Sequence, residues 1–116
     1  MRTLRNLAIA ANLGLLALPA LAATQDELRD ALVGNTFQGD MGGGGYSSYF
    51  AEDGTYHDAS GSGDYEITEE GVCYPGTDFG CYQATIDGTA LEGMKDGESA
   101  GTGEILDGDA LDLMPQ

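Results

Sequence analysis

Two different hydrophobic patterns meet at Gly34. Before it, Leu28, Leu32 and Val33 share one face of a helix. The segment Thr24–Glu27 has the form of a capping box, in which the threonine and glutamate side chains satisfy free backbone N–H groups at the start of a helix. Because glycine commonly ends a helix, the sequence predicts a short helix from about residue 25 to residue 33.

After Gly34, short β-favouring runs alternate with glycine turns. Polar and apolar residues alternate within several runs, which indicates strands with one wet and one buried face. Asp-Gly pairs in Glu52–Gly54, Asp87–Gly88 and Lys95–Gly97 are typical of hairpin turns. The predicted strands are Asn35–Gly39, Tyr46–Ala51, Thr55–Ser60, Asp64–Thr68, Val72–Tyr74, Cys81–Ile86, Thr89–Met94 and Ala100–Ile105.

These elements predict an all-β fold: a small antiparallel meander of seven or eight strands, closed as a barrel or a sandwich, with a short N-terminal helix across an end or an open edge. No sustained helical periodicity follows residue 34, which argues against helical crossovers and a parallel sheet. We expect one β domain at 23–106 and an acidic C-terminal tail at 107–116.

The first 22 residues have the order of a cleavable secretory signal. Arg2 and Arg5 precede the apolar stretch Leu7–Leu18, and Ala20–Ala22 supplies small residues for cleavage. The apolar stretch is shorter than the roughly 20 residues that a membrane-spanning helix needs. The sequence therefore predicts export to the periplasm or the extracellular space, with no membrane anchor after cleavage.

Acidic residues dominate the remaining chain. It carries 20 of them against Arg29 and Lys95, a net charge near −18. Such a surface repels phosphate backbones and anionic lipids, so we expect no nucleic-acid partner. The negative charge could favour binding of a cationic or small-molecule partner or of metal ions, or it could reflect a saline habitat. Alternatively, it serves only to keep the surface solvated and resistant to aggregation. The partner's identity is left open.

Cys73 and Cys81 are the only cysteines of the chain. In an exported protein an even number of cysteines indicates a disulfide. The Pro75-Gly76 turn between them allows the pair to sit across neighbouring antiparallel strands. A zinc or redox role is disfavoured, because no histidine is near and the C-x-x-C spacing is missing.

The sequence contains no recognisable catalytic constellation, and we expect neither an enzyme nor a cofactor. His57, the single histidine, lies in a predicted strand on the face opposite Tyr56 and Asp58. It is interpreted as a solvated residue, and alternatively as the base of a small hydrolase. The run Gly42–Gly45 lacks the Lys-Ser/Thr of a phosphate loop and is interpreted as a flexible hairpin loop.

Calcium is the metal that the acidic residues would suit best. Asp107, Asp109 and Asp112 are the nearest candidates, although they do not fit an EF-hand register.

Tyrosines supply much of the large apolar surface. They are interpreted first as the core of a domain that is poor in aliphatic residues. The alternative is a small-ligand-binding barrel with Tyr46, Tyr49, Tyr56 and Tyr65 in its cavity. An enclosed apolar interior above about 300 Å³ would favour this alternative, and a filled interior would favour the core role.

Four segments resemble those of small exported proteobacterial all-β proteins of unassigned function. They are Leu32–Thr36, Tyr49–Thr55, a glycine-then-aromatic strand before Cys73, and Gly101–Gly108. Tyr65 stands where those proteins tend to carry tryptophan. The resemblance implies the fold and no particular reaction. The leading functional expectation is therefore an acidic, non-enzymatic binding or structural module of the cell envelope.

Overall fold

The computed structural model describes residues 21–115. The predicted signal at 1–22 lies outside these residues except for Leu21 and Ala22. One helix, α1 (Gln25–Leu32), precedes the strands. The strands are β1 (Thr36–Asp40), β2 (Gly45–Phe50), β3 (Thr55–Asp58), β4 (Gly61–Asp64), β5 (Glu66–Thr68), β6 (Gly71–Tyr74), β7 (Gly80–Asp87), β8 (Ala90–Lys95) and β9 (Glu98–Leu106).

All nine strands form one antiparallel sheet in the order β4-β3-β2-β1-β9-β8-β7-β6-β5. Consecutive strands pair with each other except β4 and β5, which are the two ends of the sheet, and the long strand β9 returns to pair with β1. The predicted all-β meander with one short helix is confirmed. Within residues 21–115, no helix has the length and apolar character that a membrane crossing requires.

The sheet curls until its two ends nearly meet, so the meander forms a barrel-like structure. Its end strands β4 and β5 are consecutive in the chain and are separated only by Tyr65. The run 61–68 thus pairs with β3 through its first half and with β6 through its second half. The prediction missed β4, because Gly61–Gly63 lacks β-favouring side chains. Pairing with β3 makes this segment a strand.

Helix α1 begins with the predicted capping box. Glu27 N donates to Thr24 Oγ1 at 3.1 Å, and Thr24 N donates to Glu27 Oε1 at 2.8 Å. Along the helix, Gln25 Nε2 and Arg29 Nη2 donate to the backbone oxygen of Ile67 in β5, at 3.0 and 3.4 Å. The helix therefore covers a sheet edge that would otherwise expose unpaired backbone groups.

The hairpin signals are confirmed by the backbone. Gly54, Gly88 and Gly97 all have left-handed φ angles, of 91°, 65° and 83°. At the β8–β9 turn Asp96 also has a positive φ of 53°. Two consecutive positive φ angles are the geometry of a two-residue type I′ turn, which matches the twist of the flanking strands.

The two ends of the barrel are covered by different parts of the chain. At the end that we call the closed end, α1 packs and the chain after β9 folds back: Gly108 N donates to Asn35 Oδ1 at 3.0 Å, and Thr36 Oγ1 donates to Gly108 O at 2.6 Å. At the opposite end, the open end, the sheet ends in the loops 41–44, 59–60, 75–79 and 96–97. The side-chain core, which includes Leu28 and Leu32, lies toward the closed end.

Candidate functional site

The interior of the barrel is hollow toward the open end. A cavity of about 400 Å³ lies between the sheet and the open-end loops. Its volume falls within the range of roughly 300–1,000 Å³ that small-molecule sites occupy. The aromatic residues of its wall are Phe37, Tyr46, Phe50, Tyr56, Tyr74, Phe79 and Tyr82.

Strand periodicity explains which side chains reach this cavity. Residues that lie directly opposite each other in antiparallel strands point to the same face of the sheet. Ser48 pairs with Phe37 on one side and with Asp58 on the other, and Phe50 pairs with Tyr56. Phe37, Phe50, Tyr56 and Asp58 all line the cavity, so this row of residues belongs to the inner face.

The aromatic side chains of the wall pack edge to face. The ring of Tyr74 lies 5.4 Å from that of Tyr56, 6.1 Å from that of Phe79 and 6.2 Å from that of Tyr82, centroid to centroid, with interplanar angles of 77–85°. Tyr74 is thus the centre of the wall. Since edge-to-face packing turns neighbouring rings by nearly a right angle, the wall presents both ring faces and ring edges.

Asp58 places a carboxylate among these rings. Its Oδ2 accepts a hydrogen bond from the Tyr46 hydroxyl at 3.4 Å. Its Oδ1 accepts from the backbone N–H and the hydroxyl of Ser60, at 2.9 and 3.0 Å, and so holds the β3–β4 turn. One carboxylate oxygen is therefore used by the turn, whereas the other makes only a long bond from the side of Tyr46.

Ser48 is buried on the same row, behind the residues that line the cavity. Its side chain is fully buried, and its Oγ makes no hydrogen bond of normal geometry with any described residue. Its polar neighbour is the Tyr46 hydroxyl. A buried hydroxyl that lacks a good hydrogen bond costs on the order of 1–3 kcal/mol, and a water molecule would satisfy it.

Burial changes the acidity of the tyrosines around the cavity. The pKa of Tyr46 is raised, mainly by desolvation; an interaction with the Ser48 hydroxyl lowers it in part, and the nearby charge of Asp58 raises it further. The pKa of Tyr74 is raised strongly for the same main reason, with smaller contributions from Tyr46, Tyr56, Tyr82 and Asp58. Both hydroxyls therefore stay protonated at neutral pH and can serve as neutral hydrogen-bond donors.

Glycines make room for the larger inner side chains. A Cβ atom at Gly63 would lie 2.8 Å from the Tyr56 ring, and one at Gly93 would lie 2.8 Å from Met41 Cε. Tyr56 and Met41 thus lie flat against neighbouring strands instead of projecting across the barrel. This arrangement keeps the interior open.

The disulfide pins the rim of the cavity. Cys73 and Cys81 lie directly opposite each other in β6 and β7, and their sulfur atoms are 2.08 Å apart. The loop that they close carries Tyr74 and Phe79. Lys95 Nζ donates to the backbone oxygen of Phe79 at 2.7 Å and stands 4.7 Å from the centre of the Tyr82 ring. The bridge and Lys95 together hold this part of the wall in place.

The four tyrosines proposed from the sequence separate into three environments. Tyr46 and Tyr56 line the cavity. Tyr65 is only 6% exposed and belongs to the core, where its hydroxyl donates to the backbone oxygen of Ala51 at 2.6 Å. Tyr49 lies on the outer face, where its ring stacks on His57 at 6.4 Å. The structure brings only two of the four together.

His57 lies on the outer face, as its position in the strand predicted. It pairs with Tyr49 across β2–β3 and does not line the cavity. This position offers no support for a hydrolase based on His57.

The calcium candidates at the C-terminus are not gathered into a site. Asp109 instead accepts from the backbone N–H groups of Leu113 and Met114, at 2.8 and 3.0 Å. The one group of possible metal ligands that the described part of the chain brings together is Glu70, Cys73 and Cys81. Because both cysteines are in the disulfide, their sulfur atoms are not thiolate ligands.

Sequence reasoning did not place Tyr74, Tyr82 or Asp58 in the site. The alternation of Tyr82 with Ala84 and Ile86 was a usable signal, since it puts Tyr82 on a buried face. The separation between Tyr46 and Tyr49 was a second usable signal, because residues three apart in a strand point to opposite faces.

Comparison of the chain with protein-family models, curated proteins and solved structures gave no significant match.

Proposed function

We propose that this protein is an exported, non-enzymatic binding protein that holds a small organic ligand inside its barrel. The observation that carries the proposal is the cavity of about 400 Å³, whose wall is built mainly from tyrosines and apolar side chains. Cavities of this kind, with a few polar groups among apolar walls, are the usual form of small-molecule sites.

Three features of the wall support a ligand site over an imperfectly packed core. Glycines at 63 and 93 keep the large side chains flat against the sheet. The Asp58 carboxylate and the fully buried Ser48 hydroxyl, which an apolar core would avoid, lie on the inner row. The disulfide closes the loop that carries Tyr74 and Phe79 and so holds these two rings at the cavity rim.

The direct test is binding of a neutral apolar fluorophore, N-phenyl-1-naphthylamine, by the protein without residues 1–22. We expect saturable binding of one molecule per chain, with increased fluorescence. Ala84→Phe should abolish it, because Ala84 is 3% exposed and lines the cavity, so the added ring would occupy the ligand's space.

Thr85→Phe is the matched control, since it adds the same ring to the next residue of β7, which points to the outer face. It should leave the fluorophore affinity unchanged. If Ala84→Phe loses the native circular dichroism spectrum, Met41→Trp at the rim replaces it. Absence of saturable binding, or binding that survives a folded cavity-filling variant, would refute the proposal.

The structural alternative, a module without a ligand, makes the opposite prediction. Filling the cavity with Ala84→Phe would then raise the melting temperature and cost no function, because voids in a core are destabilising. The extensive hydrogen bonding of the closed end supports this alternative. A cavity that binds no ligand would favour it.

A further inference from the structure

We infer that the ligand of this cavity is a small organic cation, an amine or quaternary ammonium group on an apolar body. The inference rests on the proposed function and names its ligand class. It follows from the juxtaposition of three tyrosine rings, Tyr46, Tyr56 and Tyr74, with the carboxylate of Asp58 on one wall.

The charges of the wall favour a cation over a neutral or anionic ligand. Asp58 is the one ionisable acid among the lining residues, and none of these residues is a lysine, arginine or histidine. An anionic ligand would therefore meet the Asp58 carboxylate, while Lys95, the cation at the rim, is already bound to Phe79 O and to the Tyr82 ring. A positive group, in contrast, would be attracted by Asp58 and by the negative net charge of the chain.

The rings supply the second component of cation binding. The faces of tyrosine rings attract cations within about 6 Å, and a desolvated site strengthens this attraction. The protein already shows such a contact, because Lys95 Nζ stands 4.7 Å from the centre of the Tyr82 ring at the rim. The Tyr82 ring thus already carries the Lys95 ammonium, while Tyr46, Tyr56 and Tyr74 line the cavity without such a cation.

Asp58 supplies the charged polar group of the site. Ser48 pairs directly with Asp58 across β2 and β3, but it is fully buried and does not line the cavity. A protonated amine could donate a hydrogen bond to the Asp58 carboxylate. A quaternary ammonium would use the charge of Asp58 and the tyrosine rings.

Phenyltrimethylammonium and tert-butylbenzene form the matched probe pair, because they have the same shape and differ in the charge of one atom. Each is titrated against bound N-phenyl-1-naphthylamine at 0.15 M salt, where exposed charges are screened beyond about 8 Å. We expect the cation to displace the fluorophore at about tenfold lower concentration than its neutral isostere.

Asp58→Asn should reduce this preference by about threefold or more, because it removes the charge and keeps an oxygen for the Ser60 turn. Asp53→Asn is the matched control. Asp53 holds an equivalent turn by accepting from Thr55 N at 3.0 Å, but it does not line the cavity. This variant removes the same charge from the surface and should keep the full preference.

The outcomes separate this inference from the proposed function. If the fluorophore binds and the two probes compete equally, or if both aspartate variants behave alike, the cavity is a ligand site and the cation inference is wrong. If neither the fluorophore nor phenyltrimethylammonium binds, with calorimetry used for the latter, both proposals fail.

Discussion

At the closed end of the barrel, the inner face is filled: Leu28 and Leu32 of α1 are 1% and 3% exposed and pack against Tyr65 and Ile67. At the open end, the same sheet surrounds a cavity with tyrosine walls. Both ends are built from alternating strand residues. They differ in what covers them, a helix at one end and short glycine-rich loops at the other.

This contrast separates stability from binding in a chain with few large aliphatic residues. The helix supplies aliphatic side chains that the strands lack, and it concentrates them at one end. The open end instead depends on the disulfide and on edge-to-face rings. We therefore expect substitutions at the closed end to act on folding and substitutions at the open end to act mainly on binding.

The largest effect on stability is expected from Leu28→Ala at the closed end. Removing this fully buried side chain should lower the free energy of unfolding by about 2–5 kcal/mol. Met41→Ala, at the rim, should cost less than about 1.5 kcal/mol, because Met41 is only partly buried and borders the cavity on one side. Urea unfolding of both variants measures the contrast. Equal costs would show that the two ends are packed alike.

The next largest effect concerns the disulfide. The double variant Cys73→Ser/Cys81→Ser should lose about 2–3 kcal/mol of unfolding free energy, since the unfolded chain regains the entropy that the bridge removes. It should also bind N-phenyl-1-naphthylamine more weakly, because Tyr74 and Phe79 lie in the loop that the bridge closes.

Reductant provides a parallel test, since the chain has only these two cysteines. A melting temperature that is indifferent to reductant would mean that the bridge contributes nothing to folding. Lower stability with unchanged probe affinity would show that the rim does not depend on it.

Alkaline pH should destabilise the protein through its buried tyrosines. Desolvation raises the pKa of Tyr65 to about 12, with a smaller contribution from Asp53. The folded state therefore keeps the phenol proton between pH 10 and 12 while the unfolded state releases it. This contribution to stability is fully present below pH 10 and is lost as the pH rises through that window.

Tyr65→Phe tests this assignment. At pH 7 it should cost about 1 kcal/mol, because it removes the hydrogen bond to Ala51 O. Above pH 10 the variant should lose less stability than the parent chain, as measured by urea unfolding at both pH values. An identical alkaline loss would assign the effect to other groups, such as Tyr46 and Tyr74 at the open end.

Added salt should have the smallest effect, a rise of a few degrees in melting temperature between 0.05 and 0.5 M. Within residues 21–115, the acidic side chains have one ion pair, Arg29–Asp26 at 3.5 Å, and both partners are largely exposed. Salt screens the repulsion among the other carboxylates. The affinity for the neutral fluorophore should stay constant. A melting temperature that does not respond would indicate that bound cations already neutralise the acids.

Local sequence signals predicted the helix, the hairpins and the disulfide. The capping box at Thr24, the Asp-Gly turns and the spacing of Cys73 and Cys81 each act over a few residues, so the chain itself contains the information. Strand β4 was missed because Gly61–Asp64 is a strand only through its pairing with β3.

Local sequence signals could not predict the cavity, for a different reason. Whether the tyrosines fill the interior depends on how far the sheet curls before β4 approaches β5, and on whether residues such as Gly63 let Tyr56 lie flat. Both are properties of the assembled barrel. Strand periodicity alone could have separated Tyr46 from Tyr49, but it could not have shown that the space between the inner tyrosines is open.

The most direct test of the account is a heteronuclear NMR titration of the protein with N-phenyl-1-naphthylamine, whose rings shift the signals of nearby amides. We predict that the shifts cluster at the open end, around Tyr46, Asp58 and Tyr74, and that Leu28 and Ile67 at the closed end stay unchanged. Shifts that scatter over the outer face, or that concentrate beside α1, would contradict the claim that the hollow end of this barrel is its binding site.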